Sequence, residues 1–209
     1  SVRLLYHGTS TTATDAYIGT SAFNSSFDNI AYVSYMYGNL GSVANARENT
    51  NNSAIKKTID NWYTSNLEAK GYTKYLSTTA VYCNDRTEQT SGTYNIGSKF
   101  GYAPRARVNT NYAPTYDCTE TSDAFSGSNT SAKLTYPIAL MTADEVSFAG
   151  GLWGTNAPTW YYYNSAKGSS TGSTWWWLLS PSSWNGSYAY VFDVYGSSDP
   201  GSLGSDYLS

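Results

Sequence analysis

The sequence predicts an α+β domain in which a few strands and two helices are separated by long ordered loops. One stretch of helical periodicity, residues 53–67, stands in a chain whose other apolar runs are short and bounded by Gly, Ser, Thr and Asn. Two strand-like runs, 175–181 and 188–196, follow each other near the C-terminal end. The chain has 209 residues, enough for one large domain or two small ones, and its 40% hydrophobic residues suffice for a core. We expect a single domain over residues 1–209.

Residues 3–8 and 31–38 predict the first two strands. The first run, RLLYHG, ends at a glycine, and the second, AYVSYMYG, alternates small or polar residues with large ones before Gly38. This alternation is typical of strands.

The long helix is the clearest element of the sequence. Asn52 or Ser53 can cap its N-terminus, and Gly71 can end the region. Its apolar residues follow the helical period and form one stripe, on which we expect Trp62 to be buried. The stripe consists of Ile55, Ile59, Trp62, Tyr63 and Leu67.

Residues 84–131 contain few apolar runs and predict a long ordered loop with one hairpin. Cys83 and Cys118 nearly bracket this segment. Two cysteines are compatible with a disulfide or with two buried free thiols, and their number does not decide between these alternatives. Because long loops in compact domains need a function or a crosslink, we predict that the two cysteines lie close enough to bond.

The rest of the chain predicts one irregular strand, one short helix and a final pair of strands. Residues 134–142 are apolar with Pro137 inside, which indicates an edge or irregular strand. Thr142 and Glu145 have the spacing of a capping box and open a short helix that a pair of glycines ends. Residues 197–209 are polar and are expected to be turn-like.

The composition favours a binding domain. Charged residues make up 13% of the chain, about half the usual share, and the net charge is -3, which disfavours nucleic-acid binding. Aromatic residues make up 16%, with 21 Tyr and 7 Trp among many Ser, Gly and Asn, as in antibody binding sites. The alternative is that Tyr serves here as an ordinary strand residue. No run of about 18 apolar residues is present, so we expect no membrane span.

Several motifs resemble one group of domains. These are the Asn-Thr-Asn start of the long helix, the segment CNDR, the segment YPIALMTADE and the strand WWWLLSP. They resemble C-type-lectin-fold domains, related to the formylglycine-generating-enzyme fold, of pilin-like bacterial surface proteins and phages. Some of these domains are variable proteins of diversity-generating retroelements, in which adenine-directed mutation rewrites codons near the C-terminus. Such domains end with a further strand resembling GVRPVI, which this sequence does not show.

The resemblance implies a C-type-lectin fold of small antiparallel sheets, one long and one short helix, and long ordered loops. It also implies an extracellular location, on a bacterial cell surface or pilus or on a phage virion. The implied partner is an unknown protein or glycan receptor on a cell surface, for adhesion or host recognition. A structural subunit of a pilus-like fibre or phage particle, in contact with other fibre or virion subunits, is the alternative.

The C-terminal region, residues 175–209, is the best candidate for the binding surface. Apolar residues alternate there with Ser, Tyr, Asn, Asp and Gly, which are residues that adenine replacement in an Asn codon can produce. The alternative is a solvated turn region with ordinary Tyr-rich strands. We expect one exposed contiguous surface formed by Trp177, Trp184, Ser187, Tyr188, Tyr190, Tyr195 and Asp199. Its scaffold would be Leu178, Leu179, Val191 and Val194.

Catalytic and metal sites are weakly supported. His7 is the single histidine, and no nucleophile motif lies near it, so we expect no enzyme. Two cysteines and one histidine cannot supply a full set of zinc ligands, and we expect neither a required metal nor a cofactor. Asp144 and Glu145 are adjacent in the first turn of a helix, where acids are favoured by the helix dipole, so we interpret them as capping residues.

Overall fold

The computed structural model describes residues 2–6, 17–89, 99–155, 175–195 and 201–208. Within them the chain forms small antiparallel sheets and few helices, which confirms the predicted mixture of α and β elements. Two sheets are two-stranded ribbons, formed by β1 (Met36–Tyr37) with β2 (Asn51–Asn52) and by β3 (Tyr82–Cys83) with β5 (Ala124–Phe125). The main sheet has the order β4-β6-β7-β8, with β4 at Phe100–Gly101, β6 at Trp176–Trp184, β7 at Ala189–Val194 and β8 at Leu203–Tyr207.

Short helices connect these strands. The α-helices are α1 (Val43–Ala46), α2 (Ala54–Tyr63), α3 (Ala103–Arg105) and α4 (Ala143–Phe148). Single turns of other helix types lie at Ile30–Val33, Thr64–Glu68, Thr73–Tyr75, Ala106–Asn111 and Thr121–Asp123. In the part of the chain that the structure describes, none of the helices has the length and apolar character needed to cross a bilayer.

Helix α2 forms where its sequence predicts it, and Ile55, Ile59 and Tyr63 of the predicted stripe are buried. Ser53 caps it, accepting a hydrogen bond from the Lys56 amide at 3.2 Å. Ile59 is buried, but Trp62 is partly exposed and its ring packs edge-on against Tyr6 at 5.4 Å. The prediction that Trp62 is buried is therefore wrong. The buried face also includes Lys56, whose side chain is 1% exposed, and Trp62 lies at the edge of that face.

Helix α4 has the predicted capping box. The hydroxyl of Thr142 accepts a hydrogen bond from the Glu145 amide at 3.0 Å, and the Glu145 carboxylate accepts one from the Thr142 amide at 2.8 Å. Two orphan amides at the helix start are satisfied in this way.

Several predicted strands differ in the structure. Residues 2–6 form no strand, and His7 lies outside the described residues. Residues 31–38 form a helical turn followed by the two-residue β1. Residues 134–142 also form no strand, because Pro137 has no amide to donate to a ladder. The tail, expected to be turn-like, contains β8, since pairing with β7 satisfies its backbone despite its polar composition.

The main sheet is buried on both faces. Ala189 and Val191 point into one apolar cluster, and Phe192 and Val194 point into a second cluster on the opposite face. The first cluster contains Phe23, Val33, Ile59, Tyr102, Leu179 and Leu208, and the second contains Val108, Val146, Leu178 and Leu203. Strands β6 and β7 therefore form the centre of the domain, and the predicted scaffold residues are all buried.

Arg86, in the CNDR segment, holds the loop-rich half of the chain together. Its side chain is 1% exposed, and its Nε donates to Asp123 Oδ1 at 2.6 Å. Burial lowers the pKa of Arg86, while the charge of Asp123 opposes that shift. The guanidinium also donates to the carbonyls of Met36, Ala46 and Ser122 and to the side chains of Ser34 and Asn49. One side chain thus satisfies backbone groups from three separate segments.

The structure contains a disulfide between Cys83 and Cys118. The two Cα atoms lie 5.6 Å apart. The bond links β3 to the irregular segment that precedes Thr121–Asp123. It crosslinks a region with little regular hydrogen bonding.

Candidate binding surface

The side chain of Asn185 holds the turn between β6 and β7 through hydrogen bonds. The side-chain oxygen of Asn185 accepts hydrogen bonds from the amides of Ser187 at 2.9 Å and Tyr188 at 2.7 Å. Gly186 has a φ of 96°, which a side chain would strain. The Asn185 amide group also donates to the Tyr190 hydroxyl at 3.2 Å. One asparagine therefore orients both the turn and the first tyrosine of β7.

Four aromatic rings meet beside this turn. Tyr190 and Tyr207 face each other in register across β7 and β8, with ring centroids 6.4 Å apart. Phe27 packs against Tyr188 at 5.0 Å and against Tyr207 at 5.3 Å. We call Phe27, Tyr188, Tyr190 and Tyr207 the aromatic surface.

The aromatic surface is partly exposed and rests on a buried scaffold. Tyr188 is 44% exposed and Tyr207 is 46% exposed. Ala189 and Val191 beneath them are fully buried, and the Ala189 amide donates to the Phe27 carbonyl at 2.7 Å. Because backbone bonds and core packing hold the frame, the exposed side chains can change without loss of the fold.

Two acidic residues that adjoin members of the aromatic surface in sequence accept hydrogen bonds. Asp206 accepts a hydrogen bond from the Tyr207 amide at 2.8 Å, and Asp28 accepts one from the Ser26 hydroxyl at 2.7 Å. Tyrosine hydroxyls add groups that can donate and accept. The arrangement suits a partner that buries aromatic rings and pairs with polar groups around them.

Three of the predicted binding residues lie together here. Ser187 and Tyr188 are exposed in the turn, and Tyr190 follows in β7. Trp184 is close in the ladder, paired with Ala189, but it is partly buried and packs against the first apolar cluster. Trp184 therefore contributes to the packing of the core at this end of the sheet.

The structure separates Trp177 and Tyr195 from the aromatic surface. The indole of Trp177 donates to the Ser21 carbonyl at 2.9 Å, and its ring packs against Phe23 at 6.1 Å. Tyr195 lies near Trp175 at the far end of the sheet, since five residues along β7 from Tyr190 correspond to about 16 Å. Asp199 lies outside the described residues. The expected single contiguous surface is thus corrected to a smaller one at the turn, because strand length separates its members.

Phe27 and Tyr207 are members of the aromatic surface that the sequence did not single out. Phe27 stands in a polar segment more than 150 residues before its ring partners. Tyr207 lies in the tail, whose pairing with β7 the sequence did not predict. Its aromatic character at the end of a variable-looking region was the one available signal.

A second concavity lies beside the disulfide. It is a shallow cleft of about 60 Å³, lined by Cys83, Asp85, Arg107, Thr115, Tyr116 and Asp144 among others. Arg107 donates to Asp144 at 2.8 and 2.9 Å and to Asp85 at 2.7 Å. Burial lowers the pKa of Arg107, but the hydrogen bond and charge of Asp144 and the charge of Asp85 outweigh it and raise the pKa above its usual value. Because Arg107 pairs with both carboxylates, we assign the network a structural role.

No protein-family model, curated protein or solved structure matches this chain.

Proposed function

We propose that this chain is an extracellular binding domain of the C-type-lectin fold, which recognises a protein or glycan receptor on a cell surface. The observation that carries the proposal is the aromatic surface itself. Two of its tyrosines are almost half exposed, yet their positions are held by a hydrogen-bonded turn and a buried scaffold.

This geometry favours binding for an entropic reason. Tyrosine supplies a large contact area and has few rotatable bonds, so little conformational entropy is lost when a partner orders it. Asn185 and the packing against Phe27 already restrict Tyr188 and Tyr190. A preorganised surface loses less free energy on association than a flexible one.

The residue types on this surface support a diversified region of the retroelement kind. The outward or partly exposed positions carry residues that adenine replacement in an Asn codon can produce, whereas the buried neighbours Ala189, Val191 and Leu208 are apolar. The positions of this kind are Asn185, Gly186, Ser187, Tyr188, Tyr190, Ser205, Asp206 and Tyr207. Diversification at such positions would alter recognition and leave the core intact.

The proposal is tested with labelled protein on an array of immobilised glycans and on a panel of fixed bacterial and animal cells. The site variant carries Tyr188→Ser and Tyr207→Ser. The control variant carries Tyr72→Ser and Tyr75→Ser, because these tyrosines are 50% and 74% exposed and lie outside the aromatic surface.

We expect the wild type and the control variant to bind the same targets and the site variant to lose them. Truncation of central aromatic anchors costs about 2 kcal/mol or more in binding free energy, roughly a thirtyfold loss of affinity. Equal binding by both double variants would contradict the proposal.

A further inference from the structure

Asp193 is a fully buried acid in β7. Among the described residues, no other residue donates a hydrogen bond to its carboxylate, and no Lys or Arg forms an ion pair with it. Burial, and then the charge of Asp206 on the adjacent strand, raise the pKa of Asp193 to about 8. A buried polar group without partners is strongly unfavourable, so its presence points to a function.

Aromatic side chains share the face of the sheet on which Asp193 stands. Asp193 pairs with Trp177 of β6 and with Gly204 of β8, and directly opposed residues lie on the same face. Tyr195 follows two residues later on that face, and a methyl group at Gly204 would stand 2.4 Å from its ring. The ring of Trp175 lies 6.0 Å from that of Tyr195.

A second buried polar group belongs to the same neighbourhood. The hydroxyl of Ser202, the residue directly before β8, is buried and has no hydrogen-bond partner. The Tyr195 amide donates to the Ser202 carbonyl at 3.0 Å, which keeps the two residues side by side. Two unpartnered oxygen-bearing side chains thus stand among three aromatic rings.

A cation with N–H donors meets the needs of this site. The carboxylate requires positive charge and hydrogen-bond donors, and the faces of Trp and Tyr rings attract cations. We propose that Asp193, with Trp175, Trp177 and Tyr195, binds a primary alkylammonium group, such as the end of a lysine side chain. Trp175 is 47% exposed, so we place ligand entry beside its ring.

This site is independent of the aromatic surface. The two lie at opposite ends of β7, about 10 to 16 Å apart along the strand. A substitution in the aromatic surface is therefore expected to leave the Asp193 site unchanged, and the reverse.

Binding of an ammonium ion is coupled to release of a proton. Asp193 is mostly neutral below about pH 8, whereas the ammonium binds its ionised form. Affinity should therefore increase about tenfold for each pH unit up to the pKa of Asp193 and level off above it.

The test uses butylammonium, which copies the end of a lysine side chain, and butanol as its uncharged counterpart. Binding is followed by NMR through the indole N–H signals of Trp175 and Trp177, assigned with Trp→Phe variants. The site variant is Asp193→Asn, which keeps the shape and removes the charge. The control is Asp117→Asn, at an exposed acid on the disulfide loop.

We expect butylammonium, but not butanol, to shift these signals in the wild type and in Asp117→Asn. Asp193→Asn should weaken binding by about tenfold or more and abolish its pH dependence. Binding that survives in Asp193→Asn, equal binding of butanol, or no shift with butylammonium at any pH would overturn the proposal. The variant with Tyr188→Ser and Tyr207→Ser should bind butylammonium like the wild type, which separates this result from the fate of the aromatic surface.

Discussion

The ring of Tyr195 lies directly over Gly204. A Cβ atom at position 204 would stand 2.4 Å from Cζ of Tyr195 and 2.5 Å from Cε1. Gly204 pairs with Asp193 in the ladder, so the missing side chain allows an aromatic ring to cross β8 beside the buried acid. The packing of this end of the sheet depends on that contact.

We predict that Gly204→Ala destabilises the domain by about 1 to 3 kcal/mol, as overpacking does. The same substitution should cost much less in a Tyr195→Ala background, because the clashing ring is absent. Urea denaturation of the four proteins of this double-mutant cycle measures the coupling. Equal costs in both backgrounds would show that the ring does not set the requirement for glycine.

Asp193 should give the domain an unusual dependence on pH. Its pKa is about 8 in the folded state and near 4 when unfolded, so the folded state binds more protons between these values. Stability contributed by the protonated group is therefore fully present below about pH 4 and is lost as pH rises toward 8, with a slope of up to about 1.4 kcal/mol per pH unit.

Asp193→Asn should remove that part of the slope and should be more stable than the wild type at pH values near 8. Denaturant titrations at a series of pH values for both proteins measure the difference. Parallel stability profiles would show that Asp193 has an ordinary pKa in the folded protein.

Arg86→Met should be severely destabilising, by about 3 to 5 kcal/mol, because it leaves Asp123 buried without its main cation. Arg47→Met is the matched control, since Arg47 is partly exposed and contacts the same carboxylate at 3.2 Å. We expect this control to cost about 1 kcal/mol or less. Thermal unfolding followed by circular dichroism distinguishes them, and similar losses would argue against a central role for Arg86.

Removal of the disulfide should lower stability by about 3 to 4 kcal/mol, given the separation of 35 residues between its cysteines. The variant carries Cys83→Ser and Cys118→Ser. Urea denaturation with and without a reductant should show a loss in the wild type and no effect of the reductant on the variant. A wild type insensitive to complete reduction would contradict the expectation.

Helix α2 offers a test of which face is buried. Ile59 is 2% exposed, so Ile59→Ala should cost about 2 to 5 kcal/mol. Trp62→Ala should cost less, despite the larger side chain, because Trp62 is partly exposed and packs against Tyr6. Equilibrium denaturation of the two variants gives the order, and a reversed order would place Trp62 in the core after all.

Local patterns predicted the elements that depend on neighbouring residues. Helix α2 follows from a helical stripe behind a serine cap, and α4 follows from the spacing of Thr142 and Glu145. Strands β6 and β7 follow from concentrated apolar and aromatic residues. These signals are short-range, so the sequence is sufficient to place them.

The sequence by itself determined a mixed α and β domain, its two main helices, its last long strands and an aromatic C-terminal region. Tertiary structure alone decided that the polar tail pairs as β8, that Phe27 joins Tyr188 and Tyr207, and that Trp177 turns inward. The period of a strand shows which side chains share a face, but what covers that face depends on chain segments distant in sequence. For the same reason, the sequence around Asp193 does not show that this residue is buried. Its burial without a partner results from the chain segments that cover the sheet.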